Sequence, residues 1–143
     1  MADQHALHVE VVTPDGEVYR ADVAMVILPG VDGELGILPR HQPIVTLLGV
    51  GETRVKDLDG TWEYIATGIG YAQVLFDKVL VVVDHGELAG AIDLRRAEEA
   101  RQRAQDRLQE HRDPGAQAEV DFFRAEQALQ RAENRLSVAR RFD

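Results

Sequence analysis

The side chains best suited to bind a ligand lie in the last third of this 143-residue sequence. Residues 92–97 read IDLRRA, and Arg96 and Arg103 are separated by about two helical turns. Arg131 and Arg135 are spaced to lie one turn apart on the same face of a helix. If two such helices fold together, their guanidinium groups converge and could hold a polyphosphate through paired hydrogen bonds.

Two carboxylates accompany these arginines. Glu87 precedes the segment and Asp93 lies within it, so either could accept a hydrogen bond from a base or a ribose. The alternative is a solvated surface, because arginines on exposed helices usually form weak ion pairs with glutamates one turn away. Spacing alone favours that alternative and leaves the ligand site open.

The elements that would position these arginines are two helices. From Ala91 onward the sequence consists mainly of good helix formers, with Asp93 in the first turn. Residues 112–115 (RDPG) end the first helix, and a second helix is predicted from about Val120 to Ala139. The short connection predicts an antiparallel hairpin over residues 89–143. The predicted seam of the second helix consists of Phe122, Ala125, Leu129, Ala132, Leu136 and Ala139.

The facing residues of the first helix are small. They are Leu94, Ala97, Ala100, Ala104 and Leu108. A buried leucine contributes roughly 1.5–3 kcal/mol and an alanine about 0.8 kcal/mol, against roughly 1–2 kcal/mol of backbone entropy for each ordered residue. The hairpin is therefore expected to be marginal alone, to dock on another surface and to undock from it, as a conformational switch requires.

Residues 1–88 are predicted to form an antiparallel β-sandwich or barrel. Leu7, Val9 and Val11 alternate with polar residues, and turn sequences such as PDG recur about every ten residues. The other strand candidates are Glu17–Tyr19, Val23–Leu28, Ile44–Val50, Thr53–Asp57, Trp62–Thr67, Ile69–Phe76 and Val79–Asp84. The predicted fold class is thus a β-sandwich domain followed by a two-helix hairpin.

Charge and composition exclude several classes of protein. The net charge of −9 argues against nucleic-acid binding, and the sequence contains no cysteine for disulfides or thiolate chemistry. Residues 1–90 carry five basic and fourteen acidic residues, whereas residues 91–143 carry eleven of each. This change supports a domain boundary near residue 90. No apolar run is long enough to span a membrane, and no secretory signal is expected at residues 1–12.

A catalytic or metal site is hard to build from this sequence. The five histidines are scattered, and only His5 and His8 approach a metal-ligand spacing. Residues 84–87 (DHGE) are polar enough for acid–base chemistry, but a linker after the last strand is the stronger interpretation. We therefore expect a protein without catalytic activity of its own and without a required cofactor.

The segment 33–48, GELGILPRHQPIVTLL, is the most specific motif in the sequence. Together with the order of the two domains and the segment 131–139 (RAENRLSVA), it resembles the ε subunit of the bacterial F-type ATP synthase. The sequence departs from the family at Arg40 and Gln42, where small residues are usual.

The resemblance implies a subunit of the rotor's central stalk. Its sandwich would bind the γ subunit and rest on the ring of c subunits, at the cytoplasmic face of the cell membrane. Residues 33–43, before the strand candidate Ile44–Val50, would form a rigid loop that projects from the sandwich. Glu34 and His41 match family positions that face the c-ring, and Arg40 lies beside them.

In this family the hairpin takes compact and extended forms, and the extended form inhibits ATP hydrolysis at the α/β catalytic ring. The segment 92–97 matches a nucleotide-binding motif found in some bacterial ε subunits. The expected ATP-binding residues are Glu87, Ile92, Asp93, Arg96, Ala97, Arg103, Arg131 and Arg135. ATP would act as a regulatory ligand.

Two alternatives from other classes remain at this point. One is a free-standing ATP-sensing protein, in which the helical switch signals to another partner and the sandwich has no affinity for γ. The other is an enzyme built on a β-sandwich, which is disfavoured because the sequence offers no convincing nucleophile–base pair. Association with a membrane ATPase separates the rotor subunit from both.

Overall fold

The protein was analysed as a computed structural model that describes residues 5–110 and 116–142, with side chains from residue 119 onward in the second range. Its strands are β1 (Leu7–Thr13), β2 (Gly16–Gly30), β3 (Gly33–Ile37), β4 (His41–Leu48), β5 (Gly51–Asp57), β6 (Trp62–Thr67), β7 (Gly70–Phe76), β8 (Lys78–Val83) and β9 (Gly86–Leu88). The helices are α1 (Leu94–Glu110) and α2 (Ala116–Ala139), and 3₁₀ turns follow β9 (Ala89–Ala91) and α2 (Arg140–Phe142).

The strands form one sheet that closes on itself. β1 pairs with β2 on one side and, in parallel, with β8 on the other. The ring continues through β7 and β4 and returns to β2 where Gly30 pairs with Leu48. Strands β5, β6 and β9 extend from the other part of β2, which is long enough to serve both sets. This β domain and the two helices confirm the predicted fold class.

The core of the β domain consists of aliphatic side chains that point inward at alternate strand positions. The alternation predicted for β1 is confirmed, because Leu7, Val9 and Val11 are fully buried. The remaining members of the core come from seven other strands. They are Val23, Val26, Leu28, Ile37, Leu48, Val55, Ile65, Ala72, Val74, Val79, Val81 and Val83.

The prediction of a projecting loop over residues 33–43 is wrong. Gly33–Ile37 pairs with β2 through a tight turn in which Gly33 has a φ of 133°, and His41–Leu48 pairs with β7. Hydrogen bonds between strands therefore satisfy most of the backbone donors and acceptors in this segment. Its proline at position 43 is tolerated because the β4–β7 register shifts between His41 and Ile44.

Three further boundaries differ from the prediction. The strand candidates 17–19 and 23–28 belong to the single strand β2, which a hydrophobic pattern interrupted by polar residues did not reveal. Residues 84–87 were interpreted as a linker, but Gly86 and Glu87 belong to β9, which pairs with β6. Helix α2 begins at Ala116 rather than near residue 120, and the predicted stop at 112–115 lies outside the described residues.

Helix α1 begins one residue after Asp93, which acts as its N-cap. The carboxylate Oδ1 of Asp93 accepts a hydrogen bond from the Arg96 backbone N–H at 3.2 Å, and the Asp93 carbonyl accepts one from the Ala97 N–H at 3.0 Å. The prediction that Asp93 lies inside the first turn is therefore wrong by one position. Its carboxylate already satisfies a backbone donor at the helix end.

The helical seam is formed largely as predicted. Ala125, Ala132, Leu136 and Ala139 of α2 are buried, whereas Phe122 is 39% exposed. On α1, the facing residues Ala97 and Ala104 are buried, Ala100 and Leu108 are half-buried, and Leu94 is 48% exposed. The apolar stripe is therefore exposed near the N-terminal end of each helix.

Candidate functional site

A cleft of about 430 Å³ lies between the helices and one end of the β domain. The helices contribute residues 100, 128, 131, 132, 134 and 135, and the β domain contributes residues 13, 15–18, 50, 66–68 and 84–87. Because its walls come from both domains, this cleft exists only when the hairpin is docked on the sandwich. Its geometry therefore depends on the state of the hairpin.

An ion pair crosses the cleft. The Nε atom of Arg135, on α2, donates to Glu87 Oε1 at 2.8 Å, and the two side chains are 30% and 33% exposed. Arg131 lies one helical turn before Arg135 and lines the same cleft. A nucleotide phosphate that approached Arg135 would compete with the Glu87 carboxylate for the same guanidinium group.

The structure brings together three of the eight predicted ATP-binding residues. Glu87, Arg131 and Arg135 line the cleft. The cleft walls do not include the others, which lie at the start of α1 and further along it. They are Ile92, Asp93, Arg96, Ala97 and Arg103.

These five residues have two kinds of surroundings. Ile92 and Ala97 are buried, at 8% and 0% exposure, in the apolar contact between the domains. Arg96 and Arg103 are exposed on α1, and Asp93 caps that helix. Both arginines would have to turn toward the cleft to reach a ligand that Arg131 and Arg135 hold.

The β domain places acidic residues around the cleft, an arrangement that the sequence did not predict. Asp15 lies in the turn between β1 and β2, Glu17 near the start of β2, and Asp84 in the connection between β8 and β9. These carboxylates oppose an anionic ligand unless a divalent cation accompanies it. No local motif reveals this arrangement, because only the folded sheet brings the two connections together.

A second apolar cluster holds the hairpin on the β domain. Its buried members are Ala66, Ala89, Ile92, Ala97, Leu136, Val138 and Ala139. A hydrogen bond reinforces it, in which the Asn134 side-chain amide donates to the Gly51 carbonyl at 2.8 Å. Most of these side chains are small, so the helices approach the sheet closely but bury little area per residue.

A different surface lies on the outside of β4 and β7. Leu47 and Tyr71 face each other across these strands and are 63% and 41% exposed, and Val45, opposite Gln73, is 69% exposed. Leu75, which is also exposed, continues this patch along β7. A contiguous exposed apolar patch of this kind is typical of a protein–protein interface.

The three residues predicted to contact the stalk or the c-ring do not form one cluster. Glu34 lies on β3 beside the β2–β3 turn, and its carboxylate pairs with Arg54 on β5. Arg40 lies instead in the turn just before β4 and His41 begins that strand, and the Arg40 N–H donates to Asp77 Oδ1 at 2.9 Å. Arg40 has a positive φ of 65°, a conformation that costs energy in a non-glycine residue.

His8, on β1, belongs to a network of charged side chains on the surface of the β domain. Its ring nitrogens contact Asp22 Oδ1 at 2.8 Å and Glu10 Oε1 at 3.0 Å. The hydrogen bond with Asp22, and then that with Glu10, raises the pKa of His8 above its ordinary value. These contacts give His8 a role other than the metal ligation considered above.

The described part of the chain contains neither a metal-binding cluster nor a membrane-spanning helix. Within residues 5–110 and 116–142, no three histidine, aspartate or glutamate side chains are grouped so that they could hold a metal ion. No helix in those ranges is long and apolar enough to cross a bilayer.

A β-sandwich that carries a docked two-helix hairpin defines the class of protein, and comparison with known proteins gives the family. Residues 6–89 match the β-sandwich domain of the ATP synthase delta/epsilon chain, and residues 91–140 match its long α-helix domain. The chain belongs to the ATP synthase delta/epsilon chain family. The predicted resemblance is confirmed.

Several relatives of this chain are ATP synthase epsilon chains. That of Halalkalibacterium halodurans is 48% identical over 104 residues, which cover 73% of this chain and 77% of the relative. That of Bacillus subtilis is 48% identical over 105 residues, which cover 73% and 79%. The fold also resembles a chain in the cryo-EM structure of the Euglena gracilis mitochondrial ATP synthase, an assembly of OSCP, F1 and c-ring. The TM-score is 0.74 at 20% identity, over 91% of this chain and 79% of that one.

Proposed function

We propose that this chain is a non-catalytic central-stalk subunit of an F-type ATP synthase and couples rotation to proton flow. The observation that carries the proposal is the match of both domains, in the same order, to the delta/epsilon chain. The subunit lies at the cytoplasmic face of the membrane and touches the bilayer only through its partners.

The outer face of β4 and β7 is the surface proposed to bind the γ subunit. Val45, Leu47 and Tyr71 expose apolar area that a soluble monomer would not keep on its surface without a partner. Aromatic and aliphatic side chains at the centre of such a patch provide most of the binding free energy. Glu34, Arg40 and His41 lie near its two ends and provide polar contacts to γ or to the c-ring.

The hairpin is proposed to regulate ATP hydrolysis. In the docked form it lies against the sandwich; in an extended form its arginines would meet acidic surfaces of the α/β ring and inhibit hydrolysis. The cleft that contains Arg131 and Arg135 forms only in the docked form. A ligand bound there stabilises that form by RT ln(1 + [L]/Kd).

ATP is the ligand proposed for this cleft. Arg131 and Arg135 provide fork-shaped donors for phosphate oxygens, and Mg²⁺ offsets the repulsion from the surrounding carboxylates. Binding would displace Glu87 from Arg135 and leave the Glu87 carboxylate free to accept from the ribose or the base. Arg96 and Arg103 would then turn inward from α1.

The test of the stalk assignment is binding to the purified γ subunit of the same ATP synthase, measured by gel filtration. Leu47→Lys should abolish co-elution because it places a charge at the centre of the apolar face. Leu58→Lys is the matched control, since Leu58 is 44% exposed in the β5–β6 turn, away from that face. Wild-type protein that fails to bind γ would favour the alternative of a free-standing ATP sensor.

The test of the nucleotide site is calorimetric titration with MgATP. Arg135→Ala and Arg96→Ala should each weaken binding at least tenfold, because a charge-assisted contact to phosphate contributes about 1.5–3 kcal/mol. Arg124→Ala removes an exposed arginine on α2 and should leave the affinity unchanged. If the wild-type protein binds no MgATP, the ligand part of the proposal is wrong and the stalk assignment is unaffected.

A further inference from the structure

We infer that residues Arg141 and Phe142 form a clasp that holds the hairpin in its docked form, with Glu52, Tyr64 and Gly90 as its receiving surface. This inference rests on the proposed function, because it concerns what sets the balance between docked and undocked hairpin. The clasp lies in the 3₁₀ turn after α2, apart from the arginine cleft.

Arg141 makes two contacts with the β domain at once. Its Nε atom donates to Glu52 Oε2, on β5, at 3.2 Å. Its guanidinium carbon lies 5.4 Å from the centre of the Tyr64 ring, on β6. Glu52 is only 17% exposed and Tyr64 packs against the interdomain apolar cluster, so both partners are held in place. A cation over an aromatic ring and beside a carboxylate is attracted to both.

Phe142 covers the connection between the domains. Gly90, in the turn after β9, lies so close to the Phe142 ring that an added Cβ would be 2.7 Å from a ring carbon. The ring can rest on this turn only because position 90 has no side chain. Although Phe142 is 70% exposed, it therefore contacts the segment about which the hairpin must turn when it undocks.

The clasp matters because the rest of the interdomain contact is weak. The buried cluster is largely alanine, and the Arg135–Glu87 pair is about one-third exposed. Arg141 makes both of its contacts at the end of α2, where detachment of the helix can begin. Loss of the clasp should therefore shift the docked–undocked equilibrium without altering the fold of either domain.

The experiment measures single-molecule energy transfer between two dyes on the full chain. The sequence has no cysteine, so Leu58→Cys on the β domain and Glu126→Cys on α2 provide specific labelling sites at exposed positions. The variants are Arg141→Ala, which removes both contacts, and Gly90→Ala, which displaces the Phe142 ring. Arg140→Ala is the matched control because it removes the same charge from the neighbouring exposed residue.

We expect Arg141→Ala to raise the ratio of undocked to docked molecules about fivefold, the combined effect of a partly exposed ion pair and a cation–π contact. Gly90→Ala should raise it about twofold and Arg140→Ala should leave it unchanged. Tyr64→Phe, which keeps the aromatic face, should give the same ratio as the wild type. Tyr64→Leu should give part of the increase expected for Arg141→Ala.

Two results would overturn the inference, and they differ in meaning. If Arg140→Ala and Arg141→Ala raise the undocked fraction equally, net charge rather than the clasp controls docking, and the mobile hairpin stands. If no variant produces an undocked population, even with Leu136→Ala added to weaken the apolar contact, the hairpin does not move. That second result would overturn both the clasp and the regulatory part of the proposed function.

Discussion

The interior of the β domain and the contact between the β domain and the hairpin are both apolar, but they are built from side chains of different size. The interior uses large aliphatic residues such as Leu28, Ile37 and Ile65, all fully buried. The interdomain contact relies on Ala66, Ala89, Ala97 and Ala139, with Leu136 and Ile92 as its larger members.

Under the proposed function, this difference separates a permanent element from a detachable one. A buried leucine or isoleucine contributes roughly 1.5–3 kcal/mol, whereas an alanine methyl contributes about 0.8 kcal/mol. Small side chains allow close packing, yet they leave a contact that modest forces can reverse. A hairpin that undocks, as proposed above, would therefore leave the sandwich intact.

The largest effect is expected in the core of the β domain. Leu28→Ala should lower the free energy of unfolding by about 2–5 kcal/mol, because Leu28 is fully buried and its loss leaves a cavity. Urea denaturation monitored by the fluorescence of Trp62, the one tryptophan, measures this change. Leu58→Ala, at a 44% exposed position, should cost less than about 0.5 kcal/mol. Equal losses in the two variants would refute the assignment of the core.

The next largest effect is expected at the contact between the hairpin and the β domain. Leu136→Ala should destabilise hairpin docking by about 2 kcal/mol, because Leu136 is the bulkiest side chain that α2 gives to the interdomain cluster. Hydrogen exchange should accelerate in α2 while the amides of β1 and β8 keep their protection. If hydrogen exchange accelerated equally in both domains, the two would unfold as one unit. The interdomain contact would then not be the weaker of the two.

A smaller effect is expected at the ion pair across the cleft. Arg135→Ala should weaken docking by less than about 1 kcal/mol, because both partners are about one-third exposed and solvent screens them. A double-mutant cycle with Glu87→Gln isolates the coupling between the two side chains. A coupling free energy above about 2 kcal/mol would show that the pair, rather than the apolar cluster and the clasp, dominates docking.

The smallest effect concerns pH and should leave the hairpin untouched. The contacts with Asp22 and Glu10 raise the pKa of His8, so protonated His8 favours the folded β domain. This stabilisation is complete below the unfolded pKa near 6.5 and disappears as pH rises through the higher folded value. In an NMR titration Asp22→Asn should lower the His8 midpoint. If docking changes over the same pH range, His8 is coupled to the hairpin and the two regions are not independent.

Sequence periodicity predicted the structure correctly where a single side-chain pattern determined it. The alternation at Leu7, Val9 and Val11 predicted β1, and the seam through Ala125, Ala132 and Leu136 predicted the inner face of α2. Residues 33–43 were misinterpreted because their glycines and prolines suggested a loop. Pairing with β2 and β7 overrides those local preferences, and sequence patterns do not contain such pairings.

The candidate site was predictable only in part for a similar reason. The arginine spacing and the family motif identified Arg131, Arg135 and Glu87, which do line one cleft. The acids around that cleft, the Asn134–Gly51 hydrogen bond and the Arg141–Tyr64 contact all join residues far apart in sequence. These contacts depend on how the hairpin lies on the sheet, and no local sequence pattern reveals that geometry.

The short strand β9 has a mechanical consequence for the proposed stalk subunit, which would turn under torque. β9 is only three residues long, lies at the end of the strand order and joins the β domain to the hairpin. A pull on the helices therefore strains its few backbone pairings first, whereas β2 is anchored along fifteen residues inside the closed ring. We expect β9 to separate from β6 under tension before the pairings of β2 in the closed ring are disturbed.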